Sequence, residues 1–194
     1  MDDASSNDVL VVPESLGETR TYDTLFKREA LKDTAKNFSL LIGGLEDLLG
    51  SRITEIAISG HSAGYRAIGA LGLARAAHPD SDLGRVSSVA LFDAVYGRTN
   101  EVVSWLPHIK NRAGVFYCIY AQNGGTVTSG PGDQRSLNYW FKKNEGLIPV
   151  PHASDKAVSA LSVMTTTADH MDVLKDTRYT DFLRLLQNDK LRKK

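Results

Sequence analysis

The sequence predicts an α/β fold: a three-layer α/β/α sandwich with a mostly parallel sheet of about five strands. Two observations predict it. Short apolar runs alternate along the chain with segments of helical period, which is the pattern of successive βαβ units. The length of 194 residues suits one domain with a sizeable core and is short for two, so residues 1–194 are read as a single unit.

The elements follow in order. Val9–Val12 is a buried-strand candidate closed by Pro13. From about Arg28, apolar residues recur at Leu31, Ala35, Phe38, Ile42, Leu45 and Leu49. Those steps of three and four draw one stripe down a helix that ends at Gly50. The Gly43–Gly44 pair inside it is unfavourable for a helix and predicts close packing against the sheet. Ile53–Ser59 is the next strand and Gly64–Ala77 the next helix, with Pro79 just past its end. Val86–Phe92 and Val115–Ala121 are further strands. Gln122–Pro151 is long and rich in Gly and Pro, and reads as a loop insertion or lid. Leu161–Thr167 is the fifth strand. Tyr179–Leu191 reads as a closing helix, with Phe182, Leu183, Leu185 and Leu186 facing inwards.

Composition narrows the function. Lys plus Arg and Asp plus Glu both number 23, so the formal net charge is zero. That argues against nucleic acid or an anionic membrane as the main partner, because both select basic faces. The cluster Lys190, Arg192, Lys193 and Lys194 follows a helical pattern and fits cations complementing a helix C-terminus. Cys118 is the only cysteine, which excludes an intrachain disulfide and leans towards a reducing, cytoplasmic location. It lies inside an apolar run, as a packed thiol would. Residues 1–8 are acidic and polar, unlike a signal peptide; an exported protein would need a signal upstream of this segment. No apolar stretch approaches the roughly 20 residues that span a bilayer.

The motif that carries chemistry is Gly60-His61-Ser62-Ala63-Gly64. G-x-S-x-G alone is weak, but here it follows an apolar strand (Ile56, Ala57, Ile58) and opens a helix (Ala67, Ile68, Leu71), the setting a nucleophile elbow requires. A strand that turns directly into a helix forces its central residue into a strained backbone conformation and lifts its side chain clear of the sheet. Gly60 and Gly64 stand two residues either side of Ser62, where a Cβ is expected to collide with a neighbouring element. The helix that follows aims its N-terminal N–H groups at the reacting centre, so the Ala63 N–H is the expected first oxyanion donor.

A serine needs a base. Of the five histidines, His61 lies within the motif and is expected to point away from the nucleophile in a structural or supporting role. His78 reads as a surface residue beside Pro79, and His108 lies in a connection. His152 sits in a Pro-flanked region, and His170 follows the last strand candidate. His170 is favoured over His152. The third member is a carboxylate that fixes the imidazole tautomer. Asp93 closes the run Val89-Ala90-Leu91-Phe92 and is favoured over Asp133, which lies in a Gly-Pro-Gly loop. Asp169 and Asp172 flank His170 too closely to orient it. The chain order is then Ser62, Asp93, His170.

By these residues the chain resembles the α/β-hydrolase superfamily over nearly its whole length. Residues 58–66, Ile-Ser-Gly-His-Ser-Ala-Gly-Tyr-Arg, and 91–97, Leu-Phe-Asp-Ala-Val-Tyr-Gly, are also similar to a group of bacterial hydrolase-like proteins. The resemblance implies a catalytic histidine on the loop after the final strand, and cleavage of an ester, thioester or amide in a small-molecule or acylated substrate, without a cofactor. It also implies a departure. In the family another strand and a second oxyanion donor come earlier in the chain, and no His-Gly oxyanion loop is visible here. The expectation is that an upstream segment or a partner chain supplies the missing strand; otherwise the fold is a reduced one in which the Ser15 or Leu16 N–H serves as second donor. Tyr65, Trp105, Trp140 and Tyr139 are candidates to line an acyl or aromatic pocket, although aromatics in loops more often pack than bind.

Two further readings stand beside the hydrolase. One is a catalytically weak or inactive hydrolase-fold module that binds a ligand or partner. The other, a nucleotide-binding protein, is disfavoured because no G-x-G-x-x-G follows the first strand and no P-loop motif occurs. The histidines are widely spaced, with no H-E-x-x-H and no cysteine pair, so no metal site is expected.

Overall fold

The computed structural model describes residues 24–95, 97–121, 137–146, 150–151, 161–174 and 178–192. Within them the chain forms six helices: α1 (Leu31–Leu49), α2 (Tyr65–Ala77), α3 (Thr99–Val103), α4 (Leu106–Asn111), α5 (Leu137–Glu145) and α6 (Arg178–Arg192). They accompany four full strands, β1 (Ile56–His61), β2 (Val86–Phe92), β3 (Val115–Ala121) and β5 (Leu161–Thr166), with a two-residue strip β4 (Val150–Pro151). The sheet order is β1-β2-β3-β5-β4 and every pairing is parallel. The α/β class and the parallel sheet are thus as expected, with four full strands rather than about five. The remaining expected strand, Val9–Val12, lies outside the described residues, and the strip β4 was not anticipated.

The sheet separates two apolar cores, and alternation along the strands decides which residue serves which. Val89 and Leu91 of β2, with Phe116, Cys118 and Tyr120 of β3, face the larger core beneath α1–α5. Ala90 and Phe92, with Val115, Tyr117, Ile119 and Ala121, face the core closed by Phe182 of α6. Both faces are covered, so β2 and β3 are buried at every position, as central strands of a parallel sheet are.

The α1 stripe buries Ala35, Phe38 and Ile42, while Leu31 and Leu45 pack at its margin. Gly50 ends it in the left-handed conformation (φ 62°), which glycine adopts without a Cβ penalty. Leu49 is exposed, one turn beyond the contact. The expected close approach at Gly43–Gly44 is absent: a Cβ at either would have open space around it. The tight helix contacts are made instead by Gly69 and Gly72 of α2. A Cβ on Gly72 would meet Ser104 Oγ and the Trp105 ring, and one on Gly69 would meet Glu101 Cβ at 3.0 Å. Trp105 fills that junction and donates Nε1–H to Ile68 O at 2.8 Å.

An ion cluster fixes the entry to β1. Arg85 donates to Glu46 Oε1 (2.5 Å), to Ile53 O (2.6 Å) and to Asp82, while Ile53 N–H donates to the same Glu46 oxygen (2.8 Å). The Arg85 hydrogen bond, followed by that from Ile53, holds the Glu46 carboxyl below its ordinary range.

Two other expectations are corrected. The segment Gln122–Pro151 is not loop throughout, since α5 lies inside it with Leu137 and Phe141 fully buried. Their spacing with Trp140 is a helical i, i+3, i+4 set. On α6, Phe182 is buried and Leu185 and Leu186 pack partly, but Leu183 is exposed. No helix among the described residues is long and apolar enough to cross a membrane.

Candidate active site

β1 and β2 end on the same rung, with His61 paired to Phe92. Each strand is followed at once by a non-glycine residue of positive φ: Ser62 at 52° and Asp93 at 42°. Left-handed backbone at such residues is uncommon, and it tends to collect at functional sites. At Ser62 the strand turns through one 3₁₀ turn, Ser62–Gly64, directly into α2. Gly60 permits that turn, because a Cβ there would sit 2.7 Å from Ile68 Cδ1 and 3.3 Å from the Gly64 carbonyl carbon. The expected collision at Gly64 is not found; its Cβ position is open. Ala63 lies within the 3₁₀ turn, at the amino-terminal end of the helical segment.

Asp93 is fully buried, and its N–H donates to Ile119 O at 2.7 Å, which clamps the bend against β3. Its Oδ2 lies 2.6 Å from His170 Nδ1. A carboxylate accepts only, so this hydrogen bond places a proton on His170 Nδ1. The second oxygen, Asp93 Oδ1, is buried with no hydrogen-bond partner among the described residues. Charge at Asp93 is felt across the sheet. Burial first, and then this carboxylate, push the Cys118 thiol far above its ordinary range.

His170 stands on a short structured loop after β5. Thr166 Oγ1 accepts from Ala168 N–H (3.2 Å), and Asp169 O accepts from Asp172 N–H (2.9 Å). The resulting 3₁₀ turn, His170–Asp172, leaves the imidazole about one-third exposed, at 30%. His61 meets it from below. The two rings stack with centroids 4.7 Å apart and planes 26° from parallel, and His61 Nε2–H donates to His170 O at 2.9 Å. His61 thus faces His170, a contact that the strand pattern does not reveal.

Of the expected residues, Asp93 and His170 are in direct contact, and Ser62 follows the His61 that touches both the ring and the backbone of His170. Ser62 Oγ forms no hydrogen bond with another described residue. Ser15, Leu16, Asp133 and His152 lie outside the described residues. Tyr65 and Trp105 are buried in the larger core. Trp140 packs half-buried on that core, edge-on to Phe141 at 5.4 Å, and Tyr139 lies half-buried beneath Lys143 Nζ at 5.8 Å. His108 is buried and donates Nε2–H to Val86 O at 2.8 Å, a structural role, and His78 is half-buried at the end of α2. Among the described residues no group of three or more His, Cys, Asp or Glu is placed to hold a metal ion.

No family model, curated protein or solved structure matches the chain.

Proposed function

We propose that the chain is a serine hydrolase that cleaves a carboxylic ester, thioester or amide through an acyl-enzyme on Ser62. The observation that carries this reading is the 2.6 Å contact between buried Asp93 and His170, set beside a strand–turn–helix whose central residue is a serine in left-handed backbone.

Ser62 Oγ attacks the acyl carbon while His170 Nε2 takes its proton. Asp93 holds the tautomer and stabilises the imidazolium. The oxygen that gains charge is held by the Ala63 N–H at the start of the helical segment. His170 then returns the proton to the leaving group as the carbon–leaving-group bond breaks. Water, deprotonated by the same imidazole, attacks the acyl-enzyme, releasing the acid and restoring the Ser62 hydroxyl. In the resting arrangement the nucleophile and base are not hydrogen-bonded, and such contacts often tighten only around a substrate.

The same absence favours a second reading, a binding module that keeps the fold of a hydrolase with little turnover. Labelling with a fluorophosphonate probe separates the two. The hydrolase reading expects labelling of the folded protein that both Ser62→Ala and His170→Ala abolish. A folded wild type that stays unlabelled overturns it and leaves the binding module.

A further inference from the structure

His61 immediately precedes the proposed nucleophile, and its ring is spent on the proposed base. Two independent contacts join it to His170: the hydrogen bond from Nε2–H to the His170 carbonyl at 2.9 Å, and the ring stack at 4.7 Å. A carbonyl can only accept, so this bond requires the Nε2–H form of His61. The contact matters because of where His170 stands. Its loop, residues 167–172, is held locally by two short-range hydrogen bonds, from Ala168 and from Asp172. Those bonds shape the turn, but they do not attach it to the strand that bears Ser62. Asp93 grips one nitrogen of the ring, and His61 holds the backbone carbonyl of the same residue. The His61 bond sets the height of the backbone, and the stacked His61 ring packs against one side of the imidazole.

We infer that His61 is a positioning residue, which ties the His170 loop to the end of β1 and sets the direction of His170 Nε2 relative to Ser62. The inference rests on the serine-hydrolase reading for its catalytic consequence, but the positioning itself is a property of the two histidines. The device is economical in geometry: nucleophile and positioning residue are consecutive, so any shift of the strand end carries both together and preserves their relation to the base. A misplacement on the scale of 1 Å between reacting groups slows a reaction by about 100-fold.

Two substitutions separate the contacts. His61→Gln keeps an N–H donor at similar reach and loses the ring, whereas His61→Phe keeps a flat ring and loses the donor. Both are compared with wild type by rate of fluorophosphonate labelling at Ser62 and by the proton NMR resonance of His170 Nδ1–H, after circular dichroism shows a folded protein. The expected result is labelling near the wild-type rate in His61→Gln and about 10- to 100-fold slower labelling in His61→Phe. The His170 Nδ1–H resonance should be retained in His61→Gln and shifted or broadened by exchange in His61→Phe. Wild-type behaviour of His61→Phe on both measurements overturns the inference, as does equal impairment of the two variants. Should the wild type fail to label at all, the hydrolase reading falls, and the resonance alone decides whether His61 holds His170.

Discussion

Asp93 and His170 lie 77 residues apart in sequence and 2.6 Å apart at Oδ2 and Nδ1. One is fully buried at the end of β2, and the other stands partly exposed after β5, so the contact bridges the interior of the sheet edge and its surface. On the serine-hydrolase reading, the expected outcome of Asp93→Asn is a folded protein whose hydrolysis of p-nitrophenyl esters falls by about 10⁴, because an amide in this place favours the wrong imidazole tautomer. Asp169→Asn and Asp172→Asn, which flank His170 while Asp93 holds its Nδ1, should stay within a few-fold of wild type in the same assay.

The glycines divide into those that are packed and those that are open, and urea melts should order them accordingly. Gly114→Ala is the most damaging, because its Cβ would strike the backbone carbonyl of Ser87, which the sheet holds in place. A cost of about 3 kcal/mol is expected. Gly60→Ala meets the flexible end of Ile68 as well as the Gly64 backbone and should cost about 1–3 kcal/mol. Gly64→Ala has room, and its φ of −57° suits alanine, so it should be neutral or stabilising by about 0.5 kcal/mol.

His108 gives the fold a dependence on pH. Burial first, then the Arg75 charge, hold its imidazole below the ordinary value of 6.5. The unfolded chain therefore binds this proton more readily than the folded one. The contribution to stability is fully present above pH 6.5, shrinks as pH falls through that value, and is lost once pH passes below the folded value. Chemical denaturation at a series of pH values should show wild type weakening on the acid side of 6.5. His108→Gln, which can still donate to Val86 O, should flatten that slope.

Cys118 should behave as part of the core. With the thiol buried and its ionisation opposed by burial and by Asp93, a thiol reagent at neutral pH should modify it only in denaturant. Rapid modification of the native protein would mean that the β3 core opens far more readily than its burial implies.

Much of the candidate site was legible because its signals are local. A glycine-flanked serine between an apolar run and a helix, a carboxylate ending a buried strand, and a histidine just past the last strand each announce themselves within a few residues. The His61–His170 contact does not. Alternation along β1 sends His61 to the side opposite its neighbours, and the ring it meets stands on a loop more than 100 residues later in the chain. Trp105 and Tyr65 are ambiguous in sequence for a related reason. Aromatics near a catalytic motif are equally suited to lining a pocket and to filling a core, and the choice was made by Gly69 and Gly72, which let α3 and Trp105 approach α2 closely. Helix α5 was hidden by the Gly and Pro around it, although Leu137, Trp140 and Phe141 carry its period. Gly43 and Gly44 show the converse, since a feature that suggested tight packing has open space around it.

The shared rung of β1 and β2 acts as a calibrated ruler. Because His61 is level with Phe92, Ser62 and Asp93 leave the sheet at the same height, and their separation is measured out by the ladder rather than by the loops. Inserting or deleting a single residue within either strand would move one of them along the ruler by about 3.3 Å and turn it to the opposite face. The loops around this centre can therefore lengthen and diversify while the strands cannot, and variation in this protein should collect in its connections and spare the two strand ends.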